Sequence, residues 1–406
     1  MSDTKEKSAC CFDTVIDRRG SGSLKWEVGK DELALWVADM DFQTAPAVRE
    51  ALENRVKHGI FGYATVGDEW RDAYCSWWER RHGFSMNRDS LIFCTGVVPA
   101  ISSAVRKLTS VAEKVVIMTP VYNIFFNSII NNGRYVVESP LRYEEGEYSV
   151  DFESLERDLS DEQATLLILC NPHNPAGKIW SKDELERIGQ LCEKHHVTVL
   201  SDEIHCDITR KGASYTPFAS VNATNKRISV TLLSASKAFN LAGLQSAAVY
   251  AEDKVLHHKM WRALNTDEVA EPNVFAVPAT VAAFNKGEEW LEELRGYLDE
   301  NRKEAETFIE KRLPLLRAVK ADATYLLWVD CSAITDNADE LCAVLREQTG
   351  LYISEGSQYG KAGAAFVRIN LACPRIVLKE ALLRLERGTD FLIKAKKTID
   401  TQSPKR

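Results

Sequence analysis

No apolar run in this chain approaches the roughly 20 residues needed to cross a bilayer. The start, Met1-Ser-Asp-Thr-Lys-Glu-Lys-Ser-Ala-Cys10, lacks the hydrophobic stretch of a secretory signal. Basic excess is missing too: 51 Lys and Arg stand against 59 Asp and Glu, a formal charge of -8, which argues against a basic surface for holding nucleic acid. The 10 cysteines contain no CxxC pair, so the spacing carries neither a zinc site nor a dithiol redox site. Cys94, Cys170 and Cys206 sit inside or beside apolar runs and read as buried free thiols, whereas Cys10 and Cys11, adjacent near a polar terminus, are open to oxidation in vitro. There is no repeat of fixed period and no low-complexity tract, apart from a polar tail at 396–406 that is expected to fray. These absences predict a cytoplasmic protein with no nucleic-acid and no membrane partner.

What is present is an ordinary globular composition, 45% hydrophobic and 27% charged over 406 residues, enough for a large core and a smaller second unit. Apolar, β-rich runs at residues 114–118, 165–170, 197–201, 228–233 and 247–251 alternate with helical patterns such as 181–195, which opens on a capping box of Ser181 and Glu184. Continuous apolar strands separated by amphipathic helices imply an α/β fold, a mainly parallel sheet covered by helices on both faces in three αβα layers. Beyond about residue 287 long charged helices at 288–313 and 337–349 enclose short strands at 324–329 and 365–370, the pattern of a smaller α+β domain. The expected division is a segment 1–45 that packs on the small domain or on a partner subunit, a large domain 46–286, a small domain 287–395 and the tail 396–406.

In an open parallel sheet chemistry gathers at the carboxyl ends of the strands. The strand ending at Cys170 runs into Asn171-Pro-His-Asn-Pro-Ala-Gly-Lys178, where two prolines fix the turn that presents Asn174. The next ends in Asp202-Glu203-Ile204-His205; alone, this is equally well a surface acidic pair with a satisfied histidine. After the strand at 228–233 comes Ser234-Ala-Ser236-Lys237, two hydroxyls and a lysine where a phosphate and a reactive amine could meet. Most serine-flanked lysines are solvated loop residues, so the neighbours decide. Gly96 and Val97 precede the helical pattern 99–108, a turn that leaves amide donors free for an anion but also occurs without any ligand.

In combination these motifs resemble the fold-type I pyridoxal-phosphate enzymes, the class I/II aminotransferase superfamily, over nearly the whole chain. Within it the chain resembles the C-S β-lyases, cystathionine β-lyases of the maltose-regulon-modulator type. The matching runs include Val37-Ala-Asp-Met-Asp-Phe42, His58-Gly-Ile-Phe-Gly-Tyr63, Thr119-Pro-Val-Tyr122, Ala323-Thr-Tyr-Leu326 and Val367-Arg-Ile-Asn370. The resemblance implies pyridoxal 5'-phosphate as cofactor, with Lys237 as Schiff-base residue and general base and Asp202 on the ring nitrogen. It further implies Asn174 on the phenolic oxygen with His205 nearby, and Tyr122 stacked on the ring, although Tyr122 also reads as a core aromatic following Pro120. The phosphate falls to Gly96, Val97, Ser234 and Ser236, with Tyr63 reaching it from a neighbouring subunit, so a homodimer with shared active sites is implied. Arg368 would grip the α-carboxylate of a small amino-acid substrate, where a structural arginine is the plainer alternative. Gln245 stands where many relatives carry a phosphate-binding arginine and resembles the lyase subgroup.

The expected reaction is β-elimination on L-cysteine S-conjugates, L-cystathionine foremost, giving a thiol, pyruvate and ammonia. The alternatives are an aminotransferase on the same fold, a lyase that also binds a regulator, and an α/β enzyme with a different phosphorylated cofactor.

Overall fold

A computed structural model describes residues 12–402, with side chains to residue 398, so Cys10 and Cys11 lie outside the described residues. Seven strands form the central sheet: β1 (Leu91–Cys94), β2 (Lys114–Thr119), β3 (Tyr135–Pro140), β4 (Ala164–Cys170), β5 (Thr198–Asp202), β6 (Ser229–Leu233) and β7 (Ala247–Tyr250). Their spatial order is β1-β7-β6-β5-β4-β2-β3. Only β7 runs against its neighbours, pairing antiparallel with both β1 and β6. The inner strands are apolar on both faces because both faces are covered, whereas the edge strand β3 is largely open. In β2, Val115 and Ile117 point into one core with Ile101, Phe125 and Met260, while Val116 and Met118 point into another with Leu155, Leu185 and Ile188. That alternation, one residue up and the next down, is the period of an extended strand.

Helices Val97–Leu108, Asn123–Ile130 and Lys254–Thr266 supply the first core, and helices Phe152–Leu159 and Lys182–Lys194 the second. The helix Lys182–Lys194 begins where its capping box dictates: Ser181 Oγ accepts from the Glu184 amide at 3.1 Å, and Glu184 Oε2 accepts from the Ser181 amide at 2.8 Å.

A second sheet, β8 (Arg317–Ala318), β9 (Leu326–Asp330), β10 (Ser354–Glu355) and β11 (Phe366–Asn370), is antiparallel throughout in the order β8-β9-β11-β10. Helices Glu288–Arg312, Ala338–Thr349 and Arg375–Gln402 back it with a separate core that includes Leu327, Val329, Leu341, Leu345, Val367 and Leu382. Leu33–Ala34 adds a short parallel pairing to Leu351–Tyr352 beside this core, and Leu35 is buried within it.

One expectation is corrected. The tail placed from Lys396 onward is helical as far as Gln402, the closing turns of the helix Arg375–Gln402. Lys396 ties it down, with Nζ 2.9 Å from Glu340 and donating to the Ile334 carbonyl at 3.1 Å.

Candidate active site

β4, β5 and β6 are neighbours in the sheet as in the chain, so their carboxyl ends lie side by side and the turns beyond them share one space. Cys170 pairs with Asp202 and Asp202 with Leu232, which sets the Asp202 side chain between the turns that carry Asn174 and Lys237. A cavity of about 280 Å³ opens there. Gly96, Val97, Tyr122, Asn174, Asp202, His205, Ser234, Ser236 and Lys237 all line it.

Burial governs the titration of these groups. It lowers the Lys237 amine to about 8, helped by the Arg368 cation and opposed by Asp39 and Asp202. It raises Asp202 to about 7, against the Ile204 amide, which donates to Oδ1 at 3.2 Å, and against the Lys237 charge. The His205 ring is driven down to about 3 by burial, then by Lys237 and Arg368, and its Nδ1 is buried with no hydrogen-bond partner among the described residues. His205 is therefore a neutral imidazole. The Tyr122 phenol is pushed up to about 12 by its burial.

At one side of the cavity the helix Val97–Leu108 starts at Gly96 with no side-chain cap. The first-turn amides have no intrahelical acceptor, so they are free for an anion. A Cβ at position 96 would stand 3.1 Å from Pro99 Cδ, tighter than ordinary contact. Ser234 Oγ donates to the Ser246 carbonyl at 2.7 Å and lies 2.9 Å from Ser236 Oγ, which fixes both hydroxyls. Gln245, with a left-handed φ of 52°, also faces the cavity.

Arg368 comes from β11 of the second sheet and meets the cavity through Asn174, donating to its Oδ1 at 3.2 Å. Its other terminal nitrogen donates to the Trp36 carbonyl at 2.8 Å, and Nε is buried without a partner. Tyr63 stands elsewhere. It is fully exposed, in a shallow depression with Phe61, Pro272 and Phe275 that also includes Gln245.

Three features lie outside the candidate site residues read from the sequence. Cys170 lines the cavity, its Sγ accepting from the Asn174 amide at 3.4 Å. The Ala38 carbonyl accepts from Lys237 Nζ at 2.7 Å and from the Tyr325 hydroxyl at 2.9 Å. Asn240, at φ 56°, holds the same N-terminal segment through Met40 and Phe42. A strand-end cysteine was visible in the sequence, but backbone acceptors carry no signal there.

Residues 30–385 match the family model described as aminotransferase class I and II. The chain belongs to that family. Within it, the chain is 42% identical to the cystathionine beta-lyase PatB of Bacillus subtilis over 381 residues, 92% of this chain and 98% of the relative. It is 33% identical to protein MalY of Escherichia coli, over 96% of this chain and 99% of the relative. Among solved structures it is similar to the PLP-bound C-S lyase from Staphylococcus hominis, with a TM-score of 0.87 and 35% identity over 93% of this chain and 97% of that one. In this class I and II aminotransferase fold, the cavity lies where the strand order places it, beyond the carboxyl ends of the parallel strands.

Proposed function

We propose that this chain is a pyridoxal-phosphate-dependent carbon-sulfur lyase that breaks the Cβ–S bond of L-cysteine S-conjugates, L-cystathionine foremost. With one water consumed, the products are a thiol, pyruvate and ammonia. The observation that carries the reading is a buried lysine of lowered basicity on the same cavity as a buried carboxylate of raised pKa. Relatives named as cystathionine beta-lyase and as C-S lyase support it.

The residues fit the cofactor. Uncapped helix amides at Gly96 and Val97, with the Ser234 and Ser236 hydroxyls, suit a phosphate; Lys237 suits an aldehyde; and Asp202, with the Ile204 amide as its hydrogen-bond donor and no ion-pair partner among the described residues, suits a ring cation. When bound, pyridoxal phosphate supplies an aldehyde that joins amines and a ring that takes up the electron pair left at the substrate's Cα.

Lys237 would hold the cofactor's aldehyde end, and its Nζ would take the Cα proton of a bound substrate. Low basicity keeps that amine available near neutral pH. Asp202 would pair with the ring nitrogen, and Asn174 and His205 would orient the phenolic side. Arg368 holds the α-carboxylate, its planar fork already aligned by the Trp36 carbonyl and Asn174. Gln245 supplies a neutral amide, so hydroxyls and backbone amides take more of the phosphate's charge.

We place a second copy of the chain at the Tyr63 face, because Gln245 borders both that depression and the cavity. Residues 46–286 then hold the cofactor and 287–395 present Arg368; the core behind the second sheet supports that division, although Trp328 and Phe366 from β9 and β11 and Trp290 and Leu294 from the helix Glu288–Arg312 pack into clusters of the large unit. The described cysteines are all free thiols, which favours the cytoplasm; no helix of the described residues is long and apolar enough to cross a membrane. Incubation with L-cystathionine and no keto acid tests the activity. Catalytic release of pyruvate and a thiol is expected, and turnover that requires 2-oxoglutarate would overturn the assignment in favour of an aminotransferase.

A further inference from the structure

Tyr325 belongs to the run Ala323-Thr-Tyr-Leu326, and no role described so far uses it. Its position is costly to arrange. Thr324, a β-branched residue, is held at a left-handed φ of 67°. The fully buried Arg302 clamps both sides of the turn by donating to the carbonyls of Thr324 at 3.1 Å and Leu326 at 2.9 Å. From there Tyr325, 1% exposed, directs its hydroxyl to the Ala38 carbonyl at 2.9 Å.

That carbonyl is immobilised on either side. Asn370 Nδ2 donates to the carbonyls of Val37 and Asp39, both at 2.6 Å, and Arg368 and Ser354 donate to that of Trp36. A carbonyl oxygen has two lone pairs. Here one meets Tyr325 and the other meets Lys237 Nζ at 2.7 Å.

We propose that the Tyr325 hydroxyl is a positioning group for Lys237, acting through the Ala38 carbonyl to fix where the free amine rests and how readily it sheds its proton. The inference rests on the proposed role of Lys237. By donating to Ala38, Tyr325 draws electron density from the oxygen that would otherwise stabilise the ammonium form more strongly. The charged groups facing Lys237 are Arg368 from β11, Asp39 from the N-terminal segment and Asp202 from β5, with the neutral His205 beside them. None of these is altered by Tyr325→Phe, which also keeps the buried ring.

The test uses the full chain stripped of cofactor. The rate at which Lys237 captures pyridoxal phosphate, read by absorbance, follows the unprotonated amine as pH is varied. In Tyr325→Phe the midpoint should rise by roughly 0.1–0.2 pH unit, about 10–30% of one net hydrogen bond. With 3-fluorotyrosine at position 325, a stronger donor, it should fall, and this variant carries the test if the phenylalanine variant does not fold. An unmoved midpoint in a folded Tyr325→Phe protein, or shifts of the same sign in both variants, would overturn the inference and leave the lyase reading intact. A wild-type protein that captures no pyridoxal phosphate would overturn both.

Discussion

Replacing Lys25 with methionine should cost about 3–5 kcal/mol of stability, the usual consequence of removing one partner from a buried ion pair. Lys25 is completely buried, with Nζ 2.7 Å from Asp41 Oδ2 and 3.7 Å from Asp39 Oδ1. Arg18 closes the group, 2.7 Å from Asp39 and 2.8 Å from Asp41, and the Trp26 indole donates to Asp41 at 2.8 Å. Two cations thus balance two carboxylates beneath the segment that carries Ala38. Methionine fills the space of the lysine stem, so little cavity forms and the loss is one of charge. At an effective dielectric near 20, unit charges about 4 Å apart attract by about 4 kcal/mol, in line with that range. The unfolding equilibrium should shift by roughly 150- to 5000-fold, measured by urea titration of tryptophan fluorescence. Lys25→Met with Asp41→Asn should lose less than Lys25→Met alone, because the pair is removed together. A single variant within about 1 kcal/mol of wild type, or a double variant no better than the single one, would refute the reasoning.

Lys237→Ala should lower pyruvate release by at least roughly 10²–10⁴-fold and abolish the absorbance of lysine-bound cofactor. Arg368→Lys keeps the charge but loses the planar fork; KM for L-cystathionine should rise roughly 10- to 100-fold in steady-state assays. Gln245→Arg should tighten the cofactor by about tenfold in equilibrium dialysis, since it adds a cation at the cavity. Asp202, raised from its ordinary 3.8 to about 7, takes up a proton on folding between those values. The stability it contributes is complete below about pH 4 and is lost as pH climbs through about 7, so the urea midpoint of cofactor-free protein should fall over that range. Asp202→Asn should remove that component of the fall.

Lys237, Asp202 and Asn174 are legible in the sequence because each follows an apolar strand long enough to be recognised, and the topology of a parallel sheet brings such ends together. Arg368 is legible only through its motif; nothing in a short apolar strand says that its guanidinium will reach the Asn174 carbonyl across from another sheet. The Ala38 carbonyl is illegible in principle, since every residue has one and its 199-residue separation from Lys237 is closed only by the fold. Tyr63 is named by resemblance, yet within one chain it faces solvent, and its proposed task needs the second copy. The tail at 396–402 misleads because a polar composition hides helical continuity: the turns are held by Lys396 against Glu340 and Ile334, partners that lie far away in sequence.

The electrostatics of the cavity join substrate binding to base strength. After burial, Arg368 is the strongest influence holding Lys237 down. On the proposed reading the substrate carboxylate lands on Arg368 and neutralises that influence. Asp202 pulls the lysine towards protonation only in its charged form, and a ring cation paired with it would offset that charge. Substrate binding would therefore raise the proton affinity of Lys237 at the stage where its nitrogen would accept the Cα proton. Before that point the same amine needs a free lone pair, which burial and an uncompensated Arg368 preserve. One lysine would then serve as a nucleophile and later as a base at a single pH because the Arg368 charge that tunes it is answered by the substrate's carboxylate.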